Sequence, residues 1–170
     1  MNNRRLLPPL AWLALLWLAF ASYVWLTSGQ LPPRPATHFG VNGVPNGWQT
    51  QAGYVRFTLL LGAIVPGFIL LTFRFIRRRN GWGLNIPHKD YWLAPERKEE
   101  TFASVESFGN WFAGLLIAFF AGVHWMILHA NTRSPASLPP AAILWVVVPF
   151  LGATLLWTSV LLGHFFRKPA

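Results

Sequence analysis

The run Ala141-Ala-Ile-Leu-Trp-Val-Val-Val-Pro-Phe-Leu-Gly-Ala-Thr-Leu-Leu-Trp-Thr-Ser-Val-Leu-Leu-Gly163 contains no charged side chain. A helix needs roughly 20 mostly apolar residues, at about 1.5 Å of rise each, to cross the hydrocarbon core of a bilayer. Three further mostly apolar runs lie at residues 6–26, 57–76 and 108–128, and the second of them carries Arg74 near its end. The sequence therefore predicts an all-α integral membrane protein: a four-transmembrane-helix bundle that forms a single domain over residues 1–170.

The composition of the whole chain agrees with this prediction. Of the 170 residues, 54% are hydrophobic and only 11% are charged, whereas a soluble domain carries about 25% charged residues. The formal net charge of +9 comes from basic residues at the ends of the apolar runs. That placement is typical of a topology signal and argues against a nucleic-acid partner. The chain has no cysteine, which excludes disulfides and thiol catalysis within it.

The basic residues also predict the orientation. Only Arg34, Arg56 and Arg133 fall on one side of the predicted membrane. The other eleven of the 14 share the opposite side, namely Arg4, Arg5, Arg74, Arg77, Arg78, Arg79, Lys89, Arg97, Lys98, Arg167 and Lys168. The positive-inside rule then predicts a multi-pass protein of a bacterial inner (cytoplasmic) membrane with both termini cytoplasmic. The first apolar run exceeds the roughly 7 to 15 residues of a signal h-region, so we expect it to be retained.

The predicted outer loop, residues 31–48, is rich in turn-forming residues. Its prolines fix φ, and Asn42-Gly43 and Asn46-Gly47 tolerate positive φ, so the loop should fold back in one or two tight turns. Phe39 and Trp48 are expected to dock onto the bundle. The loop is either a recognition surface or a plug over the helix ends. The candidate recognition residues are His38, Phe39, Asn42, Gly43, Gly47 and Trp48.

The predicted inner loop is expected to lie on the cytoplasmic headgroup layer. Pro95 followed by Glu96 is typical of a helix start, so the third helix should begin there and continue into the membrane. Arg77, Arg78 and Arg79, which precede the loop, either bind anionic lipid, at about 1 kcal/mol each, or stop translocation. The candidate residues of the loop are Asn85, Pro87, Lys89, Asp90, Tyr91, Trp92, Pro95, Glu96 and Arg97.

Two strings in these loops resemble those of a known family. Leu31-Pro32, His38-Phe39, Gly43 and Gly47-Trp48 are similar to the outer-loop motif of a bacterial membrane family of unknown function. That family is related to the N-terminal domain of Sdp-type immunity membrane proteins, which resist a toxic peptide. The string from Asn85 to Pro87 and residues 89–97 resemble the inner-loop motif of its stand-alone members.

The resemblance implies a four-helix layout and an immunity-like function. Two positions depart from the pattern. Asn46 and Gln51 stand where relatives often carry Asp and Lys, so an ion pair across that turn is expected to be absent. The chain is also shorter than the full immunity proteins, which have additional membrane helices.

The third helix carries a polar stripe. Glu106, Asn110 and His124 fall on nearly one face, with small residues between them. Small residues predict an interhelical packing seam, whereas ionisable groups within a membrane predict a proton or substrate path. His38, His124 and His129 are all predicted toward the outer side, where three imidazoles could ligate zinc. His124 and His129 lie about 140° apart around the helix, so no metal site is predicted.

The sequence contains no phosphate-binding loop and no nucleophile elbow, and no cofactor is predicted. The favoured hypothesis is a non-enzymatic accessory or ligand-binding protein, immunity-like, which recognises a peptide or partner at its outer loop. The alternative is a transporter or channel subunit that uses the polar stripe. A membrane enzyme is a third hypothesis. The expected partners are the lipid bilayer and a membrane protein or a second copy of the chain.

Overall fold

A computed structural model describes residues 9–167. The four predicted apolar helices are confirmed, and each is long and apolar enough to cross a membrane. The helices are α1 (Pro9–Thr27), α2 (Gln51–Arg78), the short α3 (Lys89–Trp92), α4 (Lys98–Asn131) and α5 (Pro140–Phe166). The first residues of the predicted first helix, together with Arg4, Arg5 and Lys168, lie outside the described residues.

Two helices begin well before the predicted apolar runs, because hydropathy marks only the apolar part of a helix. α2 begins at Gln51 instead of residue 57. Thr50 caps this start, because its side chain accepts a hydrogen bond from the Gly53 N–H at 3.1 Å. α4 begins at Lys98, ahead of residue 108. The predicted start at Pro95 is three residues too early, because residues 95–97 form a turn closed on the Ala94 carbonyl.

α4 lies at the centre of the bundle and packs against α1, α2 and α5. Glycines permit the close approach of neighbouring helices. A Cβ added at Gly62 would lie 2.3 Å from a ring carbon of Phe20, and one added at Gly114 would lie 2.4 Å from the Trp12 ring. α5 packs mainly on α4, and most of its apolar side chains are exposed. In a protein that spans a bilayer, such side chains would face lipid.

The chain folds into a β-hairpin between α1 and α2, so the fold is not purely helical. Strand β1 (Ala36–Phe39) pairs antiparallel with β2 (Pro45–Trp48). The turn predicted at Asn42-Gly43 is confirmed, with Gly43 at a φ of 75°. Asn46-Gly47, in contrast, lies within β2 and forms no second turn. We call the end of the bundle that carries the hairpin the hairpin end. The opposite end, where α2 finishes at Arg77–Arg79, is the arginine end.

Two clusters of buried residues hold the bundle together. The larger cluster joins α1, α2 and α4 from the middle of the bundle to the hairpin end, and includes Phe20, Val24, Tyr54, Ala113 and Ile117. A smaller one at the arginine end joins the inner loop to α4 and α5 and consists of Leu84, Trp92, Val105 and Phe165. Both loops are therefore anchored on the helices rather than suspended from them.

The contact at Gly62 predicts a specific sensitivity. We expect Gly62→Ala to lower the thermal unfolding midpoint of the detergent-purified protein, because the added methyl group meets the Phe20 ring and overpacking costs about 1–3 kcal/mol. Gly67→Ala is the matched control, since nothing lies within 4 Å of the added Cβ further along the same helix. Equal midpoints for the two variants would contradict this packing.

Candidate functional site

His124 is the most deeply buried polar side chain of the bundle, with 0% of its surface exposed. Its Nε2 atom lies 2.8 Å from the Thr27 hydroxyl of α1, and its Nδ1 atom lies 2.8 Å from the Tyr54 hydroxyl of α2. The Tyr54 ring also stacks on the imidazole, and the Tyr23 ring meets it edge-on. His124 therefore joins three helices at the hairpin end, as the predicted seam requires.

The direction of these hydrogen bonds can be worked out. The Thr27 hydroxyl donates to the Tyr23 carbonyl at 2.6 Å, so its oxygen is left to accept from His124 Nε2–H. In a neutral ring Nδ1 is then an acceptor, and it accepts from the Tyr54 hydroxyl. A neutral His124 with its hydrogen on Nε2 satisfies every member of this chain.

The hairpin is clamped to the bundle by Asn131, the last residue of α4. The Asn131 side-chain oxygen accepts from the Ala36 N–H at 2.8 Å, and its Nδ2 group donates to the Ala36 carbonyl, also at 2.8 Å. The same Nδ2 group donates to the Ile127 carbonyl. One amide side chain thus pairs with β1 as a neighbouring strand would, and fixes the base of the hairpin.

Two further contacts hold the rest of the loop. Gln51 Nε2 donates to the carbonyls of Ser28 and Leu31, at 2.6 and 3.2 Å, and ties the loop entry to α2. At the turn, the Leu138 N–H donates to the Gly43 carbonyl at 3.0 Å. A Cβ at position 43 would lie 2.2 Å from the Leu138 carbonyl oxygen, so this contact and the positive φ both require glycine.

The predicted outer-loop residues divide between the bundle and the solvent-accessible face. Phe39 packs against the core, as expected. Trp48 remains 53% exposed, so its predicted docking is wrong: burial alternates along β2 and places Asn46 and Trp48 on the open face. His38 Nδ1–H donates to the Asn46 side-chain oxygen across the hairpin. Asn46 therefore has a side-chain partner within the hairpin.

The tip of the hairpin exposes apolar side chains. Val41 is fully exposed and Val44 is 54% exposed. The Asn42 side-chain oxygen accepts from the Val44 N–H at 3.1 Å, and the Gly43 N–H donates to the Gly40 carbonyl at 2.9 Å, so hydrogen bonds hold the turn that carries the valines. The tip is thus a preformed apolar surface.

At the arginine end, the inner loop is held by Trp92. Its indole N–H donates to the Phe165 carbonyl at 2.9 Å, and its own carbonyl accepts from the Thr101 hydroxyl at 2.7 Å. The expectation that Trp92 lies on the headgroup layer is therefore wrong, because these bonds bury it between α4 and α5. Arg97 stacks over the Tyr91 ring at 4.3 Å. The candidates Asn85, Lys89, Asp90, Pro95 and Glu96 are exposed, and Pro87 is half-buried.

Arg77 connects α2 to α4 through two ion pairs. Its guanidinium lies 2.8 Å from the Glu99 carboxylate and 3.0 Å from the Glu106 carboxylate. These groups are partly exposed, so solvent screens both ion pairs and each stabilises the fold only weakly. Arg78 and Arg79 are exposed on the same end, with Arg79 over the Phe75 ring.

The polar stripe of α4 is divided between the two ends of the bundle. Glu106 and Asn110 line a cavity of about 200 Å³ near the arginine end, together with Arg74 of α2. His124 is bonded at the hairpin end. Between them on this face lie Gly114, against which the Trp12 ring packs, and the buried Ile117. Packed side chains thus separate the two polar regions.

Sequence reasoning missed the partners that complete these sites. These partners, Thr27, Tyr54 and Asn131, have no sequence motif around them. Each forms its hydrogen bond with a residue that is distant in the sequence. Asn131 offered the one signal in the sequence, because it is the polar residue at the end of an apolar helix. A side-chain amide in that position can form hydrogen bonds with the backbone of a neighbouring loop. Within residues 9–167, no three His, Asp or Glu side chains come close enough to hold a metal ion.

No protein-family model, curated protein or solved structure matches this chain.

The His124 network predicts a defined tautomer. In ¹⁵N NMR spectra of the labelled protein, we expect His124 Nε2 to be protonated and Nδ1 to be unprotonated, because Thr27 accepts and Tyr54 donates. Tyr54→Phe should shift the Nδ1 resonance and lower stability by about 1–3 kcal/mol, the cost of a buried unsatisfied acceptor. Tyr91→Phe, at the other end, should leave the His124 resonances unchanged. A protonated Nδ1 in the unsubstituted protein would contradict the network.

Proposed function

We propose that this chain is a four-pass protein of a bacterial inner membrane with both termini cytoplasmic. The proposal is supported by four helices that are long and apolar enough to cross a bilayer. It is also supported by the charge distribution, because Arg77–Arg79, Lys89, Arg97 and Lys98 cluster at one end, whereas Arg34, Arg56 and Arg133 belong to the other. In this orientation the arginine end is cytoplasmic and the hairpin end faces outward.

Reporter fusions test this orientation. A reporter that is active only in the cytoplasm should be active at the carboxyl terminus and inactive when it is inserted at Asn42, because an odd number of crossings separates each terminus from the hairpin. Insertion at His88, in the inner loop, should report the cytoplasm and serves as the matched internal control. Activity of the carboxyl-terminal and Asn42 fusions in the same compartment would overturn the arrangement.

Within this orientation, the hairpin serves as the recognition element of a non-enzymatic binding protein. The observation that carries the proposal is the apolar tip, Val41 and Val44, displayed on a turn whose backbone is hydrogen-bonded and whose base is clamped by Asn131. A preformed surface binds without the entropic cost of ordering a loop. A seal over the helix ends would instead turn its apolar side chains inward, as Phe39 does.

The ligand class follows from the surface. Apolar side chains beside His38, Asn46 and Trp48 suit a peptide or a protein segment that offers both apolar contacts and hydrogen-bonding groups. The resemblance of the outer loop to the immunity-related family supports the same class, with a toxic peptide as one ligand. The transport alternative is less favoured, because Gly114 and Ile117 are packed between the cavity at Glu106 and the site at His124.

Site-specific photocrosslinking tests recognition by the hairpin. A photoreactive residue at Val41, in cells that produce the protein, should give a discrete crosslinked product of a peptide or protein, because this side chain is fully exposed at the tip. The matched control is Thr132, an exposed residue at the same end but outside the hairpin.

Val44→Ser combined with Trp48→Ser should abolish the Val41 crosslink while the melting temperature stays unchanged, since both side chains are half-exposed. A crosslink of equal yield at Val41 and Thr132, or one that survives the double substitution in the folded protein, would rule out the hairpin as the recognition element.

A further inference from the structure

Two adjoining cavities lie between α1, α2 and α4 at the arginine end. The first, of about 200 Å³, is polar and is lined by Arg74, Glu106 and Asn110; we call it the head cavity. The second, of about 370 Å³, is apolar and is lined by residues such as Trp17, Pro66 and Ala113; we call it the chain cleft. Leu10 and Leu70 line both, so the two cavities adjoin at these side chains.

The polar groups of the head cavity are incompletely paired. Arg74 and Asn110 have no hydrogen-bond or ion-pair partner among residues 9–167. The Glu106 carboxylate accepts from Arg77 through Oε2 alone, which leaves Oε1 open within the same part of the chain. The cavity therefore presents a cation and an anion, each with free bonding capacity. Polar groups within an apolar medium require partners.

The dimensions match one leaflet of a bilayer. From Arg74 back to Gly62, the end of the chain cleft on α2, the helix rises about 18 Å at 1.5 Å per residue. Half of a hydrocarbon core of about 30 Å is about 15 Å. A group bound at Arg74 would lie at the polar boundary, and a chain attached to it would extend along the cleft toward the middle of the bilayer.

We propose that these cavities hold one phospholipid of the leaflet that contains Arg74, with a phosphoethanolamine head group. The inference rests on the proposal that the four helices span a bilayer. The Arg74 guanidinium binds the phosphate, for which its planar donors are suited. The ammonium donates to Glu106 Oε1 and to the side-chain oxygen of Asn110, and one acyl chain lies in the chain cleft. A head group with both charges uses both sides of the cavity, whereas a purely anionic one would meet Glu106.

The first experiment uses the unsubstituted protein. The full chain is stripped of lipid in detergent and offered equal amounts of phosphatidylethanolamine, phosphatidylglycerol and phosphatidylcholine, and native mass spectrometry measures which lipid is retained. We expect one retained phosphatidylethanolamine, favoured about tenfold over the other two, as expected for one charge-assisted hydrogen bond. Phosphatidylglycerol lacks the ammonium, and phosphatidylcholine has no N–H to donate. Equal retention, or a preference for phosphatidylglycerol, would overturn the assignment.

Variants then separate the two charges. Arg74→Gln should abolish retention of all three lipids, whereas Arg78→Gln, an exposed arginine outside the cavity, should leave it unchanged. Glu106→Gln should keep one bound lipid but remove the preference for phosphatidylethanolamine. Its matched control is Glu99→Gln, which breaks the other Arg77 ion pair without touching the cavity. The site would be refuted if Arg74→Gln and Arg78→Gln changed lipid retention equally, or if Glu106→Gln and Glu99→Gln changed the lipid preference equally.

The chain cleft has its own test. Nothing lies within 4 Å of a Cβ added at Gly67, which lines the cleft, so Gly67→Leu should fill the cleft and lower lipid retention severalfold. Gly152→Leu on α5, where the space is equally open, is the control. Unchanged retention in a folded Gly67→Leu protein would show that no acyl chain occupies the cleft. None of these outcomes depends on the hairpin.

Discussion

The buried imidazole of His124 is the interaction on which the hairpin end depends. An unpaired polar ring in an apolar interior costs several kcal/mol, so the helices must bring it partners. They do so from two directions, with Tyr54 of α2 on one nitrogen and Thr27 of α1 on the other. Dispersion between apolar side chains would allow the helices to slide or rotate at little cost. Directional bonds to a single ring select one arrangement of three helices.

That arrangement extends directly into the hairpin. Thr27 is the last residue of α1, and the Gln51 side chain at the start of α2 bonds the carbonyls that follow it. Asn131 closes the same region from α4 by pairing with Ala36. The base of the hairpin is therefore fixed by bonds between side chains and backbone, none of which involves the tip. The side chains of Val41 and Val44 are exposed and take no part in these bonds.

The sequence predicted the four long helices well, because the length and apolarity of a run can be read directly from the residues. The turn at Gly43 was equally readable, since local chemistry alone determines positive φ. The sites were harder. The sequence places His124 on the polar stripe of an apolar helix, but Thr27, Tyr54 and Asn131 are ordinary residues until folding brings them to their partners. The burial of Trp92 was missed for the same reason. Its indole donates to the Phe165 carbonyl, and a backbone carbonyl can be an acceptor in any residue, so the sequence does not identify it.

The two ends of the bundle are stabilised by different interactions. At the hairpin end, His124 and Asn131 form closed sets of hydrogen bonds that need nothing further. At the arginine end, the ion pairs of Arg77 are partly exposed and weak, and Arg74 and Asn110 lack partners within the described part of the chain. A site whose hydrogen bonds are all satisfied within the fold is stable without a bound ligand. An incomplete one within an apolar medium is stable only when a polar group occupies it, and the polar groups always at hand there are lipid head groups.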